Sequence, residues 1–156
     1  MNRKSFRITV VSDVHGALER LGRLIREINS GNYFVFCGDG VRDVMRVAGE
    51  ITVPMLCVRG NNDFGSELAE TVVENLCGIR TLVTHGHRMG VRRGTEVLAD
   101  VACRNGCVLA FYGHTHVFDD RTVGGVRIIN AGALCNGSYA SVEVADGTVI
   151  CNRKTV

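Results

Sequence analysis

The sequence has no tryptophan, a single proline and no Cys-x-x-Cys pair. The last absence excludes a zinc ribbon or a dithiol redox centre. No apolar run approaches the ~18 residues needed to span a membrane. No charge of one sign prevails either: 18 Lys and Arg stand against 16 Asp and Glu, with the signs mixed along the chain. That balance leaves neither a nucleic-acid footprint nor a basic membrane-binding face. Seven cysteines in 156 residues fall below the ~8–10% of a disulfide scaffold, and an odd count cannot pair completely. The opening MNRKSFRITVVSD runs straight into Asp13 without a small-residue cleavage site. It predicts a first core strand and no signal peptide, so the expected compartment is the reducing cytoplasm. Cys37 and Cys57 lie inside apolar runs and are expected to pack as small hydrophobes.

What is present is ordinary globular material, 46% apolar and 22% charged, enough to fold residues 1–156 as a single domain. Residues 6–12 form a β-branched run, and Leu18, Leu21, Leu24, Ile25 and Ile28 follow at helical spacing before Ser30-Gly31. The cycle repeats with strands over 33–37 and 53–58 around a short amphipathic stretch at 41–48, which predicts a parallel sheet with crossover helices. Residues 71–76 and 79–84 flank a Cys77-Gly78 turn as a hairpin. A helix is expected over 95–104 and a strand over 108–112. Two more hairpins follow, 121–123 with 126–129 turning at Gly124-Gly125 and 139–144 with 148–151 turning at Asp146-Gly147. Parallel units followed by hairpins predict an α/β fold of two packed sheets with helices outside.

Five predicted strands end in polar strings: Ser12-Asp13-Val14-His15-Gly16, Gly38-Asp39-Gly40, Arg59-Gly60-Asn61-Asn62-Asp63, Thr84-His85-Gly86-His87 and Gly113-His114-Thr115-His116. All five histidines of the chain fall in them. The carboxyl ends of parallel strands share one edge, where ligands bind, so the strings should converge. Each is weak alone, since Asp-x-His and Gly-Asn-Asn-Asp are also common turn and cap sequences. His114-Thr115-His116 is more telling, because alternate residues of an extended segment point apart and two histidines there need two ligands or a bend. Together they predict a metal site. Imidazole, carboxylate and amide donors without thiolate suit manganese, iron, zinc or nickel. The ligands are too many for one ion, and two divalent ions are implied, an arrangement suited to phosphoryl displacement. Two dications with Asp13, Asp39 and a bridging hydroxide leave a net charge of about +1, which attracts a phosphate anion.

The order Asp-x-His, Gly-Asn preceded by Gly-Asp, His and Gly-His-x-His resembles that of the calcineurin-like metallophosphoesterases, from Asp13 to His116. Ile129-Asn130-Ala131-Gly132-Ala133 is similar to the family's Asn-Pro-Gly-Ser loop, and Val58-Arg59-Gly60-Asn61-x-Asp63 resembles the small bacterial and archaeal phosphodiesterase branch. The resemblance implies a four-layer α/β/β/α sandwich of two mixed sheets. It implies Asp13, His15, Asp39 and His116 around one metal and Asp39, Asn61, His85 and His114 around a second, with Asp39 bridging and manganese the expected ion. The implied reaction is hydrolysis of a small phosphodiester by a metal-bridging hydroxide. His87 has no ligand counterpart and is expected to touch substrate or support a ligand. Many relatives carry histidine where Asn62 stands, and a neutral amide cannot act as a general acid. The chain is also similar to the retromer scaffold subunit, through Arg59-Gly60, His85-Gly86-His87 and Gly113-His114-Thr115-His116. That likeness implies a protein-interaction platform as the alternative. The expected partner is a small phosphoester; a homo-oligomer is compatible with the sequence.

Overall fold

The computed structural model describes residues 4–156. In chain order the first part comprises β1 (Ser5–Val11), α1 (Leu18–Asn29), β2 (Tyr33–Phe36), α2 (Val41–Val47), β3 (Met55–Cys57), β4 (Thr71–Leu76) and β5 (Ile79–Thr84). The second comprises α3 (Glu96–Arg104), β6 (Leu109–Tyr112), β7 (Phe118–Val123), β8 (Val126–Ala131), β9 (Ser138–Ala145) and β10 (Thr148–Thr155). One sheet runs β10-β9-β1-β2-β3 and the other β4-β5-β6-β8-β7. In each, three adjacent strands are parallel, β1-β2-β3 in the first and β5-β6-β8 in the second, and the remaining strands add antiparallel. The two sheets are therefore mixed, as the alternation of βα units and hairpins predicts.

Period-two alternation assigns each strand residue to a layer. Val10, Val35, Val83, Phe111 and Ile129 point into the space between the sheets. Their neighbours Val11, Phe34 and Phe36 face Leu21, Leu24 and Ile28 of α1 and Val44 of α2. Leu82, Ala110 and Ile128 face Leu98, Ala99 and Ala102 of α3. The central strands are apolar on both faces because both are covered, which is why they read as continuous runs. The result is the four-layer α/β/β/α sandwich.

Boundaries shift where polar edges hide the alternation. β3 is shorter than the run at 53–58 suggests, because Pro54 has no N–H to give a ladder; its carbonyl accepts from Phe34 N at 3.0 Å instead. β7 starts at Phe118 and β10 extends to Thr155, both on sheet edges whose side chains are largely exposed. The tight turns fall where expected: Cys77 and Asp146 have φ of 54° and 51°, each followed by a glycine with positive φ. Among the described residues no helix is long and apolar enough to cross a membrane.

All seven cysteines are free thiols. Burial pushes Cys57 and Cys151 up to about 11, so they are poorly nucleophilic in the fold. In reductant, the native protein should react first at exposed Cys103, and all seven thiols should titrate after denaturation. Timed labelling with a thiol reagent reads both; a thiol missing from the denatured count without reductant would reveal a disulfide.

Candidate metal centre

The parallel strands β1, β2, β5 and β6 end on one edge of the sandwich, and each polar string begins where its strand stops. The backbone then bends sharply. Asp13, His15, Asp39, His114 and His116 all have positive φ, between 43° and 71°. Left-handed backbone is unfavourable for residues with a Cβ, though Asp and His tolerate it better than most. These bends resolve the problem of two alternate histidines at one strand end: both His114 and His116 turn inward, to different partners. The loops also fasten to one another, Asp13 N–H to Gly38 O at 2.9 Å and Val14 N–H to Asp39 O at 2.8 Å. Close approach needs glycine at two points. A Cβ on Gly60 would overlap Asp39 Oδ1, and one on Gly113 would overlap Ser12 Oγ.

Two groups of side chains result: Asp13, His15 and His116, and Asp39, His85 and His114, the donor atoms of each group lying within 4.8 Å of one another. Asp13 is fully buried. Its Oδ2 accepts hydrogen bonds from Ser12 Oγ at 2.6 Å and His114 N–H at 3.1 Å. Its Oδ1 is buried without a hydrogen-bond partner, facing the Nε2 atoms of His116, His15 and His85 at 3.2, 3.5 and 3.9 Å. A buried carboxylate oxygen is costly unless it is paired or coordinates a cation. Asp39 Oδ2 lies 3.3 Å from His85 Nε2 and 3.7 Å from His15 Nε2, which puts one oxygen between the two groups. His15 Nε2 and His116 Nε2 are 3.2 Å apart, as are His85 Nε2 and His114 Nδ1. Imidazole lone pairs facing one another at that distance, beside buried carboxylates, fit a divalent cation in each group.

The same contacts set where protons sit, and at His85 a proton and a cation compete for Nε2. His85 Nδ1 lies 2.8 Å from Cys37 O; a carbonyl only accepts, so the proton sits on Nδ1 and Nε2 faces the site. Burial opposes charge on His85, but the hydrogen bond to Asp39 and the Asp13 and Asp39 charges outweigh it and raise its pKa. Burial likewise works against the Asp39 anion. Hydrogen bonds from His85 and Asn62 prevail and hold its carboxyl far below the usual carboxylate range. His114 is lowered by burial and by neighbouring His85, which favours its neutral, ligating form.

Asn62 donates to Asp39 twice, from its backbone N–H to Oδ1 at 2.9 Å and from Nδ2 to Oδ2 at 2.8 Å. The Asn62 amide thus orients the Asp39 carboxylate. Asn61 is exposed, and its side chain makes no hydrogen bond among the described residues. His87 belongs to neither group; its ring lies 5.4 Å from that of His85, and its Nε2 is 3.7 Å from Glu70 Oε1. Glu70 also holds Arg59 at 3.1 Å and Arg88 at 2.5 Å. Burial, then the charge of His85, lowers the His87 pKa, so neutral imidazole is favoured there.

A family model described as the calcineurin-like phosphoesterase superfamily domain matches residues 6–148. The chain belongs to this family. It is 27% identical over 136 residues to the probable metallophosphoesterase YsnB of Bacillus subtilis, covering 81% of this chain and 74% of that protein. Solved structures share the fold. A Streptococcus pneumoniae protein described as a predicted phosphoesterase superposes with a TM-score of 0.83 at 23% identity, over 99% of this chain and 91% of its own. An archaeal phosphodiesterase gives 0.76 at 18%, over 96% and 99%. Vps29 of Entamoeba histolytica, solved with zinc, gives 0.71 at 20%, over 96% and 98%.

Sequence reasoning did not identify the group on which this phosphoesterase-family site most depends for its shape. Asp63 Oδ2 accepts from Asp39 N–H and Gly60 N–H at 2.8 and 2.7 Å, and Oδ1 from Gly40 N–H and Val41 N–H at 2.8 and 2.9 Å. One carboxylate thereby ties the loop after β3 to the loop after β2 and to the first turn of α2. Its only local signal is an acid three residues after Gly60, which reads as a turn. Asn130 does similar work, Nδ2 donating to Gly113 O and Thr115 Oγ1 at 3.0 Å each. Asp63→Ala strands four donors and should lower unfolding free energy by about 3 kcal/mol or more. Asp63→Asn, which keeps one acceptor oxygen, should lose less; urea unfolding of both variants measures the difference.

Proposed function

We propose that this chain is a two-metal phosphoesterase that hydrolyses a small phosphodiester in a reducing, cytoplasmic setting. The supporting observation is the position of Asp39 Oδ2, within 3.3 Å of His85 and 3.7 Å of His15, so that one carboxylate oxygen can serve both ligand groups. Asp13, His15, Asp39 and His116 would hold one ion and Asp39, His85 and His114 the other, with Asn61 supplying an amide oxygen. Manganese, iron, zinc and nickel all suit these donors. Such a pair supplies, when bound, an activated water and positive charge for phosphoryl oxygens.

The residues themselves perform the remaining work. Asp13 and Asp39 confine the negative charge beneath the site, fully and almost fully buried. His15 and His116, with side chains about 30% and 36% exposed, form its open side, where a phosphate can enter. Asn62 fixes Asp39 and cannot donate a proton at neutral pH. Asp63 is committed to four N–H groups and His87 favours its neutral form, so no side chain at the site is poised to protonate a leaving group. Phenolic diesters should therefore be cleaved far faster than alkyl ones, because a stable anion departs without an acid. Asn62→His should flatten that dependence, speeding poor leaving groups by ~10²-fold. Rates over a leaving-group series for both proteins decide this; equal slopes would assign proton donation to His87.

The second reading, a protein-interaction scaffold, is supported by the likeness to Vps29. It requires no pair of carboxylates aimed at imidazoles, and Asp39 argues against it. Chelation should abolish hydrolysis of bis(p-nitrophenyl) phosphate and added Mn²⁺ should restore it. Asp39→Asn should lower turnover by more than the ~10²-fold typical of residues that only support a ligand. Its far-ultraviolet spectrum should be unchanged. Metal analysis of both proteins beside the rate assay tests this, and metal-replete protein with no hydrolysis would favour the scaffold.

A further inference from the structure

A cleft of about 780 Å³ opens from His15 and Asp39 and runs between α2 and the loop at 62–66. Small-molecule sites span ~300–1,000 Å³, so it holds far more than a phosphate and a methyl group. Two kinds of side chain line its outer part. Phe64, 78% exposed, is the most exposed large hydrophobic among the described residues, and Met45 across from it on α2 is 47% exposed. Neither contributes to a core cluster. Arg42 and Arg46 lie one helical turn apart on α2, both exposed. Residues four apart share a helix face, where like charges repel.

Neither guanidinium has a hydrogen bond or ion pair among the described residues. Six other arginines are paired with acids, while Arg26, Arg92 and Arg93 share this lack of a side-chain partner but do not line the cleft. The one carboxylate on α2, Asp43, is already engaged, its Oδ2 accepting from Gly16 N–H at 3.0 Å. Two guanidiniums without an ion pair, lining one cleft, are suited to bind a phosphate through several N–H donors. A flat apolar ring beside a thioether suits a planar aromatic group.

We propose that this cleft is the subsite for the non-reacting part of the substrate, and that the substrate is a nucleotide carrying a phosphate besides the scissile one. The ring stacks at Phe64 and Met45, and the second phosphate pairs with Arg42 and Arg46. The proposal rests on the phosphoesterase reading above.

Two diesters with the same leaving group, methyl p-nitrophenyl phosphate and thymidine 5′-(p-nitrophenyl phosphate), isolate the ring. Wild type should favour the thymidine ester in kcat/KM by about tenfold or more, the scale of stacking one base on an aromatic side chain. Phe64→Ala should bring that ratio towards one. Equilibrium dialysis against manganese-loaded protein isolates the second phosphate without turnover. Adenosine 3′,5′-bisphosphate should bind about tenfold tighter than adenosine 5′-monophosphate, from charge-assisted hydrogen bonds. Arg42→Gln/Arg46→Gln should erase the difference. Equal kcat/KM for the two esters, or equal binding of the two nucleotides by wild type, overturns the proposal while leaving the phosphoesterase reading intact. Absence of hydrolysis of both esters overturns that reading instead, and the dialysis still decides the subsite.

Discussion

The left-handed bends at Asp13, His15, Asp39, His114 and His116 are the constraint on which the rest of the structure depends. Of the seven non-glycine residues with positive φ among those described, these five are at the candidate centre and the other two, Cys77 and Asp146, make hairpin turns. Strained backbone of this kind costs of order 1–3 kcal/mol per residue and persists only where the surroundings over-determine it. Set against a typical net stability of ~5–15 kcal/mol, five such bends need a rigid frame. The sandwich supplies it. Val11, Phe36 and Phe111, within two residues of the bends or of the loops that carry them, are all fully buried.

The polar network completes what the frame begins. Asp63 and Asn130 bind loop backbone to loop backbone, and Ser12, Asn62 and Cys37 O fix one side of Asp13, Asp39 and His85. Ser12 and Cys37 O act on the face of their partner away from the neighbouring imidazoles, whereas Asn62 also reaches Oδ2, the Asp39 oxygen nearest His85 and His15. Asp13 Oδ1 is left over, buried without a hydrogen-bond partner and ringed by the Nε2 atoms of His15, His85 and His116. A site of this kind is preorganised for cations, because the costs of burying the carboxylates and ordering the imidazoles are met when the chain folds.

Charge is handled differently at two places around the site. Around Glu70, the arginines neutralise an acid, and that acid lies near His87. On α2 the acid is drawn off to Gly16 N–H and the arginines remain free. The contrast separates residues that shape the centre from residues able to bind what enters it.

Much of this was legible in the sequence because local patterns carry it. Apolar runs at β1, β2, β5 and β6, helical spacing in α1 and glycine-bearing turns specify the elements, and polar strings at strand ends specify the edge where they meet. The family's motif order implied which of Asp13, His15, Asp39, His85, His114 and His116 share an ion, and the structure brings Asp13, His15 and His116 into one candidate ligand group and Asp39, His85 and His114 into another. What only the tertiary structure decided are relations between residues far apart in sequence. Asp63 reads as a turn residue until the loop after β3 is laid against the loop after β2, and its four partners come from positions 39, 40, 41 and 60. Asn62 reads as a missing acid until its amide is found on Asp39. Arg42, Met45 and Phe64 carry no motif at all, because a cleft is a property of surfaces brought together by folding, and no local sequence pattern encodes its far wall.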